Sequence, residues 1–383
     1  MSGARVEIAG VGIHPFGRFE DRTVTEMGVT AVRGALLDAG LAATPPPPFQ
    51  AAFCGTAYAG VAAGHKVLGA LGLTGMPIVD VEAGCASGGA ALMLAAGAIR
   101  AGQYDCVLVF GIEKMPKGII RSSFFEPWRE ESGLAATPSY FALRAQRLMR
   151  ESGVTKQHFA EVVVKNRANG VHNDNAMFRK EVTADDVLGS RLVCEPLHLW
   201  MLCSPNEGAA AVVLRRADEP GDGRVTLESA VLRSHLPGSV LAESTPLSGL
   251  VDDDVLPATT LAARAAYEES GLGPSDVDVV ECQDTDAARE LLSYEELELC
   301  PRGDAGKLHD EGATRMGGRL PVNPSGGLLS KGEPLGASAL GQVVELVTQL
   351  RGTAGPRQVE GARVGLGHTV GRGANASVVI LKR

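Results

Sequence analysis

The chain has 383 residues, of which 45% are hydrophobic and only 4% aromatic, with 48 glycines and a formal net charge of −9. A chain of this length buries one large core or two fused units, and Ala, Gly and Val must fill it, which favours close-packed α/β layers. The acidic balance excludes the broad basic field that collects nucleic-acid phosphates. No apolar run approaches the ~20 residues that span a bilayer.

Seven cysteines, an odd number without paired short spacings, predict reduced thiols rather than a disulfide framework. Neither Cys-x-x-Cys nor clustered histidine spacing marks a metal site. The opening Met1-Ser-Gly-Ala-Arg-Val enters a strand pattern directly, so no signal peptide is expected and the expected compartment is the cytoplasm.

In chain order, Val6 to Gly12 predicts a strand. Thr23 to Ala39 predicts a helix, with Met27, Val29, Val32, Ala35 and Leu36 at helical spacing and a stop at Gly40. Pro45 to Pro48 is a short rigid connector. Ala51 to Cys54 reads as a buried strand, His65 to Leu71 as a helix, and Met76 to Val81 as a strand ending. A tight Gly84-Cys85 turn follows, then a helix of small residues running to Gly102. That order sets the Cys85 thiol at a helix N-terminus, where unpaired N–H groups and the positive dipole end favour a thiolate. Thiolates are the nucleophilic form, so Cys85 is a candidate for covalent acyl-enzyme chemistry. Asp105 to Gly111 is the next buried strand. Strand–helix–strand order with short links implies parallel pairing and right-handed crossovers.

From Met115 to about Ser204 the rhythm changes: both tryptophans, Trp128 and Trp200, lie here, with amphipathic helices such as Tyr140 to Glu151. This stretch reads as an insertion over the sheet, and the sheet resumes at Gly208 to Leu214. The second half echoes the first. Ala210-Ala-Val-Val-Leu-Arg-Arg216 resembles the closing Ala376-Ser-Val-Val-Ile-Leu-Lys-Arg383, and Leu37-Asp-Ala-Gly-Leu41 is echoed by Glu268-Glu-Ser-Gly-Leu272. Duplicated α/β units are expected, 1–220 and 221–383, with an insertion at about 115–205 and a boundary near Asp218 to Asp222. Three loops of the second half are candidate ligand loops at strand ends: Cys282 to Asp286, Asn323 to Gly336, and Gly367 to Gly373. The remaining cysteines, Cys54, Cys106, Cys194, Cys203, Cys282 and Cys300, read as structural.

Assembled, these stretches resemble the thiolase superfamily, specifically its sterol-carrier-protein (lipid-transfer) type. The likeness is carried by Gly84-Cys-Ala-Ser-Gly88, Glu113-Lys-Met115, Pro138-Ser-Tyr-Phe141, Asn206-Glu-Gly-Ala-Ala210, Glu290-Leu-Leu-Ser-Tyr-Glu295, Asn323 to Leu335 and Val347 to Gly352. It implies duplicated βαβαβαββ halves in a five-layered αβαβα sandwich, an inserted loop domain, and dimers or tetramers. It also implies Cys85 as nucleophile.

Two loops depart from the family pattern. Its His-Asp-Cys-Phe stands here as Gln283-Asp284-Thr285-Asp286, and its Gly-His-Pro as Gly332-Glu333-Pro334. Ordinary acetoacetyl-CoA thiolase chemistry is therefore not expected. The leading expectation is acyl transfer from an acyl-CoA or carrier-bound thioester through acyl-Cys85, with no cofactor. Glu333 and His368 join Cys85 as catalytic candidates, Asp284 and Asp286 as further bases. Gln283, Asp284, Thr285, Asp286 and Gly371 are expected at the substrate, with backbone N–H groups of the Cys85 and His368–Gly371 loops holding the oxyanion. Two alternatives are a retro-aldol lyase acting on β-hydroxyacyl-CoA, with Glu333, Asp286 or Tyr294 as base, and a non-catalytic partner subunit. A small zinc-ribbon/OB-fold companion is a possible partner.

Overall fold

The computed structural model describes residues 4–118, 128, 131, 137–217, 223–237, 255–371 and 375–383. The expected Asp218–Asp222 linker, with Arg372 and Gly373 of the third loop, lies outside them. The first half runs β1 (Arg5–Gly17), α1 (Val24–Asp38), β2 (Ala51–Gly55), α2 (Ala63–Ala70), β3 (Ile78–Val81), α3 (Ser87–Arg100) and β4 (Cys106–Lys114). The insertion carries α4 (Thr137–Ser152), α5 (Lys156–Val171), α6 (Ala184–Gly189) and a hairpin of β5 (Leu192–Cys194) and β6 (Leu197–His198), before β7 (Glu207–Ala217) closes the half. The second half runs β8 (Thr226–Ser234), α7 (Ala258–Ser270), β9 (Val279–Cys282), α8 (Ala287–Glu296), α9 (Ala305–Asp310), α10 (Gly327–Lys331), α11 (Leu335–Leu350), β10 (Val364–Gly371) and β11 (Asn375–Lys382).

Strand β4 shows why these apolar runs become central strands. Leu108, Phe110 and Ile112 face one side, joining Ala209, Ala211 and Val213 of β7 against α1 and α2. Val107 and Val109 face the other, with Ala210, Val212 and Leu214, against α3 and α11. A strand covered by helices on both faces has no polar side to alternate with, so its sequence is continuously apolar. Strand β11 repeats the arrangement: Val379 and Leu381 join the α3–α11 layer, whereas Val378 and Ile380 face α7. The layers are therefore α1–α2, first sheet half, α3–α11, second sheet half, and an outer layer led by α7 and α8.

The strand order is β3-β2-β4-β7-β1-β8-β11-β10-β9. Outward from the centre, the halves read β1-β7-β4-β2-β3 and β8-β11-β10-β9. Matching neighbours share direction: the pairs nearest the centre are antiparallel, and β4–β2 and β10–β9 are parallel. Where the second counterpart of β3 would lie, Val322 makes one parallel bridge to Val280. The halves join edge to edge at Glu7–Thr226. The echoed Gly40 and Gly271 both end a helix at positive φ, 69° and 68°, a conformation glycine enters without steric cost.

One close approach aligns the two central helices. A Cβ on Gly111 of β4 would fall 2.1 Å from the Gly336 carbonyl oxygen at the start of α11. Glycine there lets the α11 N-terminus meet β4 backbone to backbone, and this carries the residues ahead of α11 toward the α3 N-terminus. The insertion packs α4 and α5 against α8, so it covers the second half rather than its own.

Candidate active site

Cys85 sits in a single 3-10 turn, Gly84–Ala86, that feeds α3. Ser87 clips this turn: its Oγ accepts from the Ala83 N–H at 2.9 Å and donates to the Gly84 carbonyl at 2.6 Å. Gly84 adopts φ 60°, and a Cβ there would lie 3.2 Å from the Gly371 Cα. The nucleophile turn and the end of β10 thus touch. Cys85 is 5% exposed, packed by Met115 and Leu335, and opens into a cavity of about 800 Å³.

Glu333 reaches the same cavity from the turn before α11. Its backbone is pinned on both sides by the strap that returns the insertion to the sheet: Glu333 N–H donates to the Ser204 carbonyl at 2.9 Å, and the Asn206 N–H to the Glu333 carbonyl at 3.3 Å. This pairing brings Cys203 to the carboxylate, its Sγ 3.3 Å from Glu333 Oε2. Gln283 Nε2 donates to Glu333 Oε1 at 2.9 Å. The strap is tied to the second loop as well, since Cys203 N–H donates to the Thr285 carbonyl at 2.9 Å. Burial pushes the Cys203 thiol well above its ordinary value, and the Glu333 carboxylate adds to the rise. Cys203 therefore stays a neutral thiol that donates to Glu333.

Of the expected site residues, Cys85, Glu333, Gln283 and Thr285 line the cavity; Asp284, Asp286, His368 and Gly371 do not. Asp284 is fully buried and accepts from the Leu328 and Leu329 N–H groups at 2.6 and 3.1 Å and from Asn166 Nδ2 at 2.8 Å. It braces the first turn of α10. Burial, then the nearby Glu290 carboxylate, push it well up. Asp286 caps α8 through the Arg289 N–H at 2.9 Å and pairs with buried Arg144. Neither has an open side for substrate.

His368 is displaced by its depth along the strand. Leu366, His368 and Val370 share one face of β10, and only Val370, nearest the strand end, meets the cavity. His368 lies deeper, 1% exposed, with Nε2 3.1 Å from Thr259 Oγ1. Burial, with the Arg289 guanidinium beside it, drives its pKa well below the usual imidazole value. The expected oxyanion contact from this loop also changes, because the Val370 N–H is taken by Gln283 Oε1. Tyr294 is fully buried and bonded to Glu290.

Sequence reasoning missed Cys203. It follows the apolar Leu199-Trp-Met-Leu202 and so reads as core, yet Ser204-Pro205-Asn206 directly after it marks a polar strap where a cysteine is not needed for packing.

Six arginines and Lys180 line the cavity against one acid, Glu333, although the chain as a whole carries −9. Such local focusing of positive potential suits an anionic ligand. Phe141, Met177, Phe178, Leu199, Trp200 and Leu202 provide the apolar wall. Among the described residues, no group of three His, Cys, Asp or Glu side chains is placed to hold a metal ion, and no helix is long and apolar enough to cross a membrane.

A model of the thiolase N-terminal domain matches residues 6–218, and one for a thiolase C-terminal domain-like family matches residues 248–383. Sterol carrier protein 2 of Bos taurus is 36% identical across 99% of this chain and 72% of its own length. An acetyl-CoA acetyltransferase of Methanothermobacter thermautotrophicus is 37% identical across 99% of both chains. Among solved structures, the Ltp2-ChsH2(DUF35) aldolase matches in fold with a TM-score of 0.84 at 24% identity, covering 100% of this chain and 98% of that one.

Proposed function

From the premise that the chain belongs to the thiolase superfamily, in its sterol-carrier-protein type, we propose a specific role for its cavity: acyl transfer from a coenzyme A thioester through acyl-Cys85, with Glu333 as the proton-transfer group. One observation carries this reading. The Cys85 thiol at the head of α3 and a carboxylate held by Gln283 and Cys203 face the same cationic cavity.

In the first step Cys85 gives its proton to Glu333 and its sulfur adds to the thioester carbonyl. The helix N-terminus favours both the thiolate and the developing oxyanion. Collapse of the tetrahedral adduct breaks the carbonyl–sulfur bond of the donor. The CoA thiolate leaves and takes the proton back from Glu333. In the second step Glu333 removes a proton from the acceptor, which attacks the acyl carbonyl; the bond from that carbonyl to the Cys85 sulfur breaks, and the Cys85 thiolate takes the proton back from Glu333. Gln283 keeps one carboxylate oxygen in place, and the neutral Cys203 thiol donates to the other. These two contacts fix the position of the carboxylate, as a group that shuttles a proton requires.

The exposed cations of the lining, Arg179, Lys180 and Arg191, fit the phosphates of coenzyme A, which enters as part of the substrate, and the scheme uses no cofactor. Assembly as a homodimer or tetramer, and a small partner of the DUF35 kind named with the aldolase neighbour, belong to the same proposal.

Retro-aldol cleavage of a β-hydroxyacyl thioester remains the alternative for this cavity. Of its three candidate bases only Glu333 reaches the substrate space, since Asp286 pairs with Arg144 and Tyr294 with Glu290. Rapid mixing with an acyl-CoA in the absence of acceptor separates the two. Acyl transfer predicts a burst of about one equivalent of free CoA, lost in Cys85→Ala. No burst, with cleavage of β-hydroxyacyl-CoA surviving in Cys85→Ala, would establish the lyase instead.

A further inference from the structure

The arginines of the cavity are not equivalent. Arg144 and Arg289 are each balanced by a buried acid, Asp286 and Glu296. Arg179, Lys180 and Arg191 are exposed. Arg167, on α5, is 8% exposed, and no acid pairs with it among the described residues; its Nε–H has no hydrogen-bond partner. Burial pulls its pKa down to about 10. A guanidinium this buried without an acid partner is costly to the fold, and it lines the cavity, so its retention calls for a ligand there that compensates it.

The position of Arg167 says which part of the ligand that is. Its guanidinium lies over the Phe178 ring, 4.1 Å from the centroid, and its Nε–H is unpartnered, so it can offer N–H donors to a planar, two-oxygen acceptor. The Phe178 N–H hangs from the Ser330 carbonyl at 2.9 Å. The adjoining Met177 receives Asn206 Nδ2 at 3.7 Å, and the same nitrogen donates to the Lys331 carbonyl at 2.7 Å. Arg167 is therefore built onto the segment that leads into Glu333, and both line the same cavity. Coenzyme A phosphates are hydrated and multiply charged, and the exposed Arg179, Lys180 and Arg191 suit them better.

We propose that Arg167 receives a carboxylate carried by the acyl group, so that the preferred donors are the coenzyme A monothioesters of dicarboxylic acids. The proposal rests on the thioester reading of the site. Its test is a binding measurement that does not need the acyl-enzyme to form. In Cys85→Ala protein, calorimetry compares succinyl-, glutaryl- and adipyl-CoA with the monocarboxylic thioesters of the same carbon number, and with CoA itself.

At least one dicarboxylic thioester is expected to bind about tenfold or more tighter than its counterpart, the size of a buried charge-assisted pair. Adding Arg167→Met should erase that difference, leave CoA binding unchanged, and keep or raise the melting temperature, because a buried unpaired charge has gone. Absence of preference in every pair overturns the proposal. So does an equal loss for CoA and all thioesters, which would assign Arg167 to the coenzyme phosphates. The CoA burst of the wild-type enzyme fails or succeeds independently: preference without a burst ends the acyl-enzyme, and a burst without preference ends the carboxylate site.

Discussion

The loop that closes β9 and the turn that enters α11 both bring acids to the cavity end of the second half, and they put them to opposite use. In the first, Asp284 and Asp286 each find N–H donors of a following helix and a side-chain donor or cation, and both are 0% exposed. In the second, Glu333 precedes a helix whose start is pressed against Gly111. Its carboxylate meets the Cys203 and Gln283 side chains and lines the cavity. An acid in a strand-end loop is a brace wherever orphan N–H groups are within reach. Where the local backbone is already satisfied by other partners, the acid stays open to the cavity.

The largest effect that would break this contrast belongs to Glu333. Glu333→Gln keeps the shape and an acceptor for Gln283, yet turnover with any accepted thioester should fall by about 10²–10⁴, with the melting temperature nearly unchanged. Steady-state kinetics beside a thermal melt would show it, and retained turnover would remove Glu333 from the chemistry.

Asp286→Ala should do the reverse. It removes the buried carboxylate that pairs with Arg144 and uncaps α8, so urea unfolding should report a loss of about 3–5 kcal/mol. A variant as stable as wild type but inactive would make Asp286 a reagent after all.

The smallest effect is that of His368, and it appears in acid. Its folded pKa lies below the unfolded value of 6.5, so the unfolded chain binds the extra proton first. The neutral imidazole thus contributes its full stability above about pH 6.5, and that contribution is lost as pH falls below it. Stability measured from pH 7 to 5 should decline less steeply in His368→Gln, at a cost near neutrality of about 1 kcal/mol for the Thr259 contact. Turnover near neutral pH should keep the wild-type pH profile, whereas a catalytic histidine would shift it.

The fold was legible because its signals are local. Runs such as Cys106 to Gly111, the small-residue helix after Cys85, and the repeated glycine stops at Gly40 and Gly271 each declare an element within a dozen residues. Cys85 was legible for the same reason, since the turn and its helix are contiguous. The rest of the site depends on chain-distant pairing. Cys203 meets Glu333 across 130 positions through a strap whose register no local pattern announces. Arg144 meets Asp286 across 142, joining the insertion to the second half. His368 was lost to depth: it shares a strand face with Val370, but one step further from the strand end the cavity is closed by Thr259 and Arg289.

The most direct measurement is intact-protein mass spectrometry after mixing the enzyme with a panel of acyl-CoAs, with Cys85→Ala as control. Acyl transfer through Cys85 predicts a mass increase equal to one acyl group, absent from the variant. A wild-type mass unchanged by every donor, or an adduct that persists in Cys85→Ala, would contradict it.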